Sequence, residues 1–421
     1  MKLAGPIHTT WLVKHSDYVE GKQFRDSQIK GLFSSWTHTH LFNYWVELSS
    51  SVLDDHIEYS LPGGMLSERI VSPLINKKLN QMFDYRHRLT RDDLLLHAAA
   101  NKIRGNGWPF SIGITGSSGF LGSSLMPFLT TGGHRVVLFI RRPTDGNDKL
   151  GLKSVKFIQW NPSSPYLDVS SLNGNNKMYA VVNLAGENIF GRWTNKKKKR
   201  VSDSRVNTTK SLCNLLSSLD KPPRVLVSAS ATWYYGDRGD EILTEESQPS
   251  DGSLSDVCRS WEEATQIAKE SGIRVVNLRI GIVLSSSGGM LSKILSPFKV
   301  GLGGTIGNGD QYMSWIGLDD LLGLILYTIA DESVSGPINA VSPNPGTNAD
   351  FTTTLGKVLS RPTKFAIPKS IIKLSLGEEL ANAAILSSSR VIPQRLIEIG
   401  YQFRFPYLES VLRHTLGKSI P

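Results

Sequence analysis

Cysteine is nearly missing from this chain: its 421 residues include two, Cys213 and Cys258. Two thiols exclude a disulfide framework and a cysteine-rich zinc site, and such thrift fits a reducing cytoplasm. Long apolar runs are missing as well. The best, Leu321–Ala330, follows Asp319 and Asp320 and is half the roughly 20 residues a bilayer needs. No transmembrane span is expected, and the first residues lack the basic start and apolar core of a secretory signal. A broadly basic surface is missing too. Lys and Arg number 47 against 37 Asp and Glu, for a net +10, and residues 191–210 alone, with eight bases and Asp203, carry +7 of it. An excess confined to one patch argues against a nucleic-acid-binding surface. The run Lys196–Arg200 reads instead as the solvated first turn of a helix. A cytoplasmic protein with a small-molecule substrate, and no nucleic-acid or membrane partner, is expected.

What is present is globular. Forty per cent of residues are hydrophobic and 20% charged, and the length suits two or three domains. Seven of nine histidines lie in the first 97 residues, amid aromatics such as Trp11, Phe33, Trp36 and Tyr59. Residues 22–61 alternate in part, which predicts antiparallel strands. Ile75–Leu96 has helical spacing, so a small sheet closed by one long helix is expected. His38 and His40, two apart on a strand, share a face. His56 and His87 show no metal-ligand spacing with them, so the pair is read as structural and no metal is expected. Gly105, Gly107 and Pro109 mark a linker over 105–110.

From residue 111 strands and helices alternate. Strands are predicted at Ile112–Thr115, Val136–Ile140, Val155–Trp160, Tyr179–Ala185, Arg224–Ser230 and Arg274–Ile280, and helices at Phe120–Thr131, Lys196–Leu219 and Ser260–Ser271. That alternation predicts an α/β fold, a Rossmann-like, doubly wound parallel sheet. The turn TGSSGFLG follows the first of these strands and opens a helix, the setting a dinucleotide turn requires. Gly116 allows the turn, Gly119 lets backbone approach a pyrophosphate, and Gly122 lets the helix pack close. Thr115, Gly116, Ser118, Gly119, Phe120, Leu121 and Gly122 are the candidate contacts, with the helix N-terminus facing the phosphates. After the second strand stand Arg141 and Arg142, where NAD enzymes place an acid for the ribose 2′-hydroxyl. A guanidinium suits a 2′-phosphate, so NADP(H) is favoured. Arg142 reads equally well as a solvated loop residue.

Further motifs follow: NLAGENIFGRW (Asn183–Trp193), SRVNTT (Ser204–Thr209), SASATWYYGD (Ser228–Asp237), WEEA (Trp261–Ala264), LRIGIVLSSSGGML (Leu278–Leu291) and GLGGTIGNGDQYMSWIGLDDL (Gly301–Leu321). With the glycine turn, these resemble the extended short-chain dehydrogenase/reductase superfamily, in its nucleoside-diphosphate-sugar epimerase-like branch. GPINAVSPNP (Gly336–Pro345) and RVIPQRLIEIGYQFRFP (Arg390–Pro406) resemble that branch's small C-terminal domain. FRDSQIKGLFSSWTHTH (Phe24–His40), DHIEYSLPGG (Asp55–Gly64) and MFDYRHRLTRDDL (Met82–Leu94) resemble part of a START-like (SRPBCC, polyketide cyclase/dehydrase-type) domain. That domain's first helix and strands are missing, so the segment is read as truncated, and its relatives imply an apolar ligand. The resemblance divides the chain into a START-like segment (1–104), a linker (105–110), a nucleotide-binding domain with substrate lid (111–335) and a small C-terminal domain (336–421).

The resemblance also implies roles. Ser230 would polarise the substrate oxygen, with Ser228 and Thr232 as alternates. Leu184, Ala185 and Gly186, after Asn183, would lie beside the cofactor. Asn207 would brace the site or be a surface amide. Gln311 and Trp315 would belong to the lid, or be structural. The superfamily's Tyr–Lys pair is not found: Leu254 and Cys258 stand in its place, and Cys258 reads as a small buried residue. Tyr234 or Tyr235 would then supply a phenol. The expected function is an NADP-dependent oxidoreductase or epimerase, substrate unknown but nucleotide sugars among the candidates. The alternative is a ligand-binding sensor without turnover.

Overall fold

In the computed structural model, the alternation along residues 22–61 yields antiparallel strands as expected, and a further strand precedes them at Leu12–Val19. The structure describes residues 2–4, 7–8, 10–45, 50–105, 107–142, 153–163, 172 and 177–419, and it divides into two compact units, Met1–Arg86 and His87–Pro421.

In the first unit, β1 (Leu12–Val19), β2 (Gln23–Lys30), β3 (Ser35–Trp45) and β4 (Ser50–Ser60) form an antiparallel sheet in chain order. Along β3 the side chains of Trp36, His38 and His40 are buried in alternation, as a period of two requires. Trp36 packs among Trp11, Phe33 and Tyr59, with ring centroids 4.9–6.1 Å apart, so the core at this end is aromatic. The predicted helix is longer than its apolar spacing indicated: α1 spans Gly64–Arg104 and includes Pro73. Its residues to Arg86 belong to this unit and the rest to the second.

The second unit is the predicted doubly wound sheet. Its parallel strands are β5 (Ser111–Thr115), β6 (Arg135–Ile140), β7 (Val155–Gln159), β8 (Ala180–Asn183), β9 (Val225–Ala231), β10 (Arg274–Ile280) and β11 (Gly336–Ala340), in the order β7-β6-β5-β8-β9-β10-β11. The order reverses between β5 and β8, which opens a crevice beyond their carboxyl ends. α2 (Phe120–Thr131) matches its expected bounds and buries Gly122, Leu125, Phe128 and Leu129. Each such large side chain removed from water stabilises the fold by about 1.5–3 kcal/mol. α3 spans Asn195–Ser217. The helix expected at Ser260–Ser271 is instead two, α4 (Ser253–Glu263) and α5 (Gln266–Glu270). The break falls where Thr265 turns its hydroxyl back onto the Glu262 carbonyl, a local competitor of helix hydrogen bonding. β8 stops at Asn183 rather than Ala185, because Leu184 and Ala185 leave the sheet to pass against Gly116. A smaller core forms around Leu291, Phe298, Met313, Trp315, Phe351 and Leu355. Among the described residues no helix is long and apolar enough to cross a membrane.

Two buried histidines, His97 and His134, pack against Phe128 and Phe110 of the main core. His97 Nε2 donates to the Phe128 carbonyl, and His134 Nδ1 accepts the Phe110 N–H, both at 2.9 Å. Burial pushes His97 below its ordinary value, and burial followed by the neighbouring His97 pushes His134 down to about 3. Both are therefore neutral when folded, and they protonate near pH 6.5 only on unfolding. Their contribution is fully present above about pH 6.5 and declines as pH falls towards 3, at up to about 1.4 kcal/mol per unit for His134. Thermal midpoints measured from pH 7.5 to pH 4 should drop more steeply in the parent than in His134→Gln. Parallel curves would refute this linkage.

Candidate active site

The glycine turn is built by close backbone approach. Gly116 has a left-handed φ of 68°, and a Cβ there would lie 2.5 Å from the Leu184 carbonyl oxygen. A Cβ at Gly122 would lie 2.4 Å from the Gly116 carbonyl oxygen, so α2 seats directly on the turn. Gly119 and Ser118 are exposed, and no side chain caps α2 at Gly119. The first N–H groups of α2 thus lack a side-chain partner, as an anion-binding helix end requires. The Phe120 ring lies over Gly288, where a Cβ would come within 2.2 Å of it. Leu121 is partly buried against the main core.

Beneath the turn runs a buried polar network. Thr115 Oγ1 donates to Asn183 Oδ1 at 2.7 Å. Asn183 Nδ2 donates to Thr209 Oγ1 at 2.9 Å and to Ser228 Oγ at 3.2 Å, and Trp261 Nε1 donates to Thr209 Oγ1 at 2.9 Å. It pins the ends of β5 and β8 and the middle of β9 to α3 and α4. Buried polar groups with partners fix a geometry because losing one partner strands the other. Arg205 supports the segment after β8. Its guanidinium donates to the carbonyls of Glu187 and Val201 at 3.1 Å, lies over the Trp261 ring, and would be 3.3 Å from a Cβ at Gly186.

Arg141 and Arg142 are both exposed at the end of β6. The Lys197 hydrogen bond, and then the charges of Lys197, Arg200 and Arg141, hold the Glu187 carboxyl below its ordinary value. The basic run is tied into ion pairs: Lys197 with Glu187 at 3.0 Å, Lys199 with Asp203 at 3.0 Å, and Lys198 with Glu379.

At the end of β9, Ser230 is buried and its hydroxyl donates to Glu262 Oε1 at 2.7 Å. Arg279 of β10 forks onto both oxygens of that carboxylate at 2.9 Å. Arg279 also donates to the Tyr235 hydroxyl at 2.8 Å and lies 3.6 Å over the Tyr234 ring. Tyr235 is fully buried and donates to Asn339 Oδ1 at 2.7 Å, and burial pushes its phenol up to about 12. The structure thus gathers Ser230, Tyr234 and Tyr235 around Arg279, but Tyr235 is committed to internal bonds. Thr232 is half-buried in the single 3₁₀ turn that follows β9.

Three expected residues fall elsewhere. Asn207 is exposed on α3 and donates to Asp203 at 3.3 Å, while its neighbour Thr209 takes the bracing position. Gln311 is buried and donates to the Ile306 carbonyl. Trp315 is fully buried in the smaller core. Glu262 and Arg279 were not assigned from the sequence. The available signal was one charge inside the apolar run VVNLRI of β10, which demands a buried partner.

Residues 112–340 match the NAD dependent epimerase/dehydratase family, and residues 367–415 match the domain of unknown function DUF1731. An epimerase family protein of Mycobacterium bovis is 39% identical over 293 residues, 69% of this chain and 93% of that protein. The structure of the nucleoside-diphosphate sugar epimerase from Corynebacterium glutamicum is 32% identical with a TM-score of 0.75, covering 97% of this chain and 77% of that one. The human epimerase family protein SDR39U1, crystallised with NADPH, is 31% identical with a TM-score of 0.63, over 72% of this chain and 98% of that one. By sequence and by fold alike, the chain belongs to the NAD dependent epimerase/dehydratase family and carries a DUF1731 domain towards its C-terminus.

Proposed function

We propose that the chain is an NADP(H)-dependent oxidoreductase or epimerase acting on a small-molecule carbonyl or hydroxyl, with a nucleotide sugar as the candidate substrate class. The observation that carries the reading is Arg141, an exposed guanidinium at the end of β6 beside an uncapped glycine turn. The residues fit the cofactor. Gly116, Gly119 and the first turn of α2 would hold its pyrophosphate, Arg141 its 2′-phosphate, and Leu184–Gly186 its adenosine or ribose side. The human relative bound to NADPH supports the same choice. When bound, the nicotinamide supplies or accepts a hydride.

The chain's own chemistry then rests on Ser230. Its proton points at Glu262, so its oxygen is free to accept a proton from a substrate hydroxyl while passing its own to the carboxylate. Arg279 holds that carboxylate in place through two hydrogen bonds. Proton transfer by a positioned group of this kind is worth about 10²–10⁴-fold. Thr232, the more open hydroxyl, would orient the substrate. Tyr235 serves as a strut for Arg279, and Tyr234 as the ring beneath it.

A second reading, binding without turnover, is favoured by one observation. Leu254 and Cys258 on α4 are buried where the superfamily carries its Tyr and Lys, and burial pushes the Cys258 thiol up to about 12. We also propose that residues 1–104 form a START-like segment for an apolar ligand, and that residues 105–110 link it to the nucleotide-binding domain. The four-stranded antiparallel sheet and its long helix support that reading.

Native mass spectrometry of the purified protein should show bound NADP(H). Charged hydrogen bonds contribute about 1.5–3 kcal/mol, so Arg141→Ala should weaken NADPH binding about tenfold to a hundredfold and leave NADH binding within about twofold. Equal losses for both cofactors would sink the Arg141 assignment. Ser230→Ala should abolish hydride transfer in a carbonyl and nucleotide-sugar screen while NADPH still binds. Turnover that survives this change removes Ser230 from the chemistry, and a parent that binds NADPH but transfers no hydride supports the second reading.

A further inference from the structure

The first unit holds its own cluster of ionisable side chains, on the inner face of the sheet. Strand register assembles it. Asp26 of β2 pairs with His38 of β3, and His40 pairs with Asp55 of β4. His38 and His40 are two apart on β3, so these four residues occupy two adjacent rows on one face. Both imidazoles and Asp55 are almost completely buried, and the Asp26 side chain is 19% exposed.

The Oδ1 oxygen of Asp26 pairs with His15, and Arg86 reaches His40 Nδ1 at 3.4 Å, which leaves His40 Nε2 and Asp26 Oδ2 facing each other without a hydrogen bond. A single oxygen of Asp55 receives both rings, His40 Nδ1 at 2.6 Å and His38 Nε2 at 2.9 Å. The other nitrogen of His40, Nε2, faces Asp26 Oδ2 at 3.7 Å. That is too long for a hydrogen bond. It suits two ligands of one cation, because donors about 2.0–2.1 Å from a tetrahedral metal stand roughly 3.3 Å apart. One donor atom each from Asp26, His38 and His40 lie within 4.8 Å of one another. The rings are held in place: Phe24 stacks on His40 with centroids 4.0 Å apart, and Phe83 meets His38 edge-on at 5.3 Å.

We propose that Asp26, His38 and His40 bind one divalent transition-metal ion, Zn²⁺ by the nature of the donors, and that Asp55 orients the His40 imidazole from behind. A carboxylate behind a ligating histidine fixes the ring and raises its basicity. Three protein ligands leave a fourth position for water. The metal would clamp β2 to β3. This replaces the structural reading of His38 and His40. The third ligand comes from the neighbouring strand, not from His56, which is exposed.

The test uses the full chain, stripped with a chelator and titrated with Zn²⁺ and separately with Co²⁺. One equivalent of Zn²⁺ should survive dialysis and raise the thermal midpoint. Co²⁺ should give the visible bands of a tetrahedral N/O site without thiolate charge transfer, which sets it apart from Cys213 and Cys258. Asp26→Asn and His40→Gln, both close in size to the parent residues, should each weaken Zn²⁺ by at least tenfold with the far-ultraviolet circular dichroism unchanged. Should a variant unfold, His38→Gln carries the same expectation. A parent that retains no Zn²⁺ against a micromolar chelator, or folded variants that hold it as tightly as the parent, would overturn the proposal.

Discussion

Arg279 is a full positive charge within a buried parallel sheet, and the crevice is organised by what compensates it. Removing such a charge from water costs several kcal/mol unless it is paired and all its donors are used. Here Glu262 accepts from two of the three guanidinium nitrogens, the Tyr235 hydroxyl and the Glu245 carbonyl accept from the third, and the Tyr234 ring covers the guanidinium face. The partners come from three separate segments: α4, the turn after β9 and the stretch that carries Glu245. The pair therefore fixes the distance from β10 to α4 and to the turn after β9. Ser230 is placed by consequence, because Glu262, once held by Arg279, is the acceptor its hydroxyl meets. Taking away either charge would leave the other buried and unpaired, a larger loss than the pair's own net contribution.

The glycine turn depends on a second constraint, of contact rather than charge. Backbone packs on backbone where Gly116 meets Leu184, and Thr115 and Asn183 lock the same strand ends with a hydrogen bond below. The turn has its shape because β8 ends early and lets Leu184 and Ala185 fold towards it. The network then continues through Thr209 to Trp261 on α4, the helix that carries Glu262. The glycine turn and the Ser230–Glu262 pair are thus two ends of one polar scaffold beneath the sheet's carboxyl edge.

Much of this was legible in the sequence, and the boundary is physical. The strands of the second unit, α2 and the glycine turn follow from local pattern, because buried parallel strands read as apolar runs and tight turns need glycine at fixed places. Ser230 was reachable through its motif. Glu262 and Arg279 were not paired, since 17 residues separate them and nothing local states which carboxylate meets which guanidinium. Trp315 and Gln311 were drawn to the crevice by the glycine-rich segment around them, whereas apolar volume places Trp315 in a core. Tyr235 differs from Tyr234 only by the face of one short turn, and that face decides between full burial and a half-exposed ring. Asp26 and His38 meet through strand register, which periodicity leaves undetermined until the turns are fixed.

The apolar face of α4 limits what chemistry the crevice can perform. Leu254 and Cys258 offer no proton near neutral pH, and Tyr235 is held by Arg279 and Asn339. Under the proposed oxidoreductase reading, a proton must therefore travel along the floor of the site, through Ser230 to Glu262, rather than from a helix beside the cofactor. Arg279 grips that carboxylate through two hydrogen bonds. The same grip keeps the route from drifting: with both oxygens held by Arg279, Glu262 meets Ser230 in one geometry, and that geometry is set by the fold before any ligand arrives.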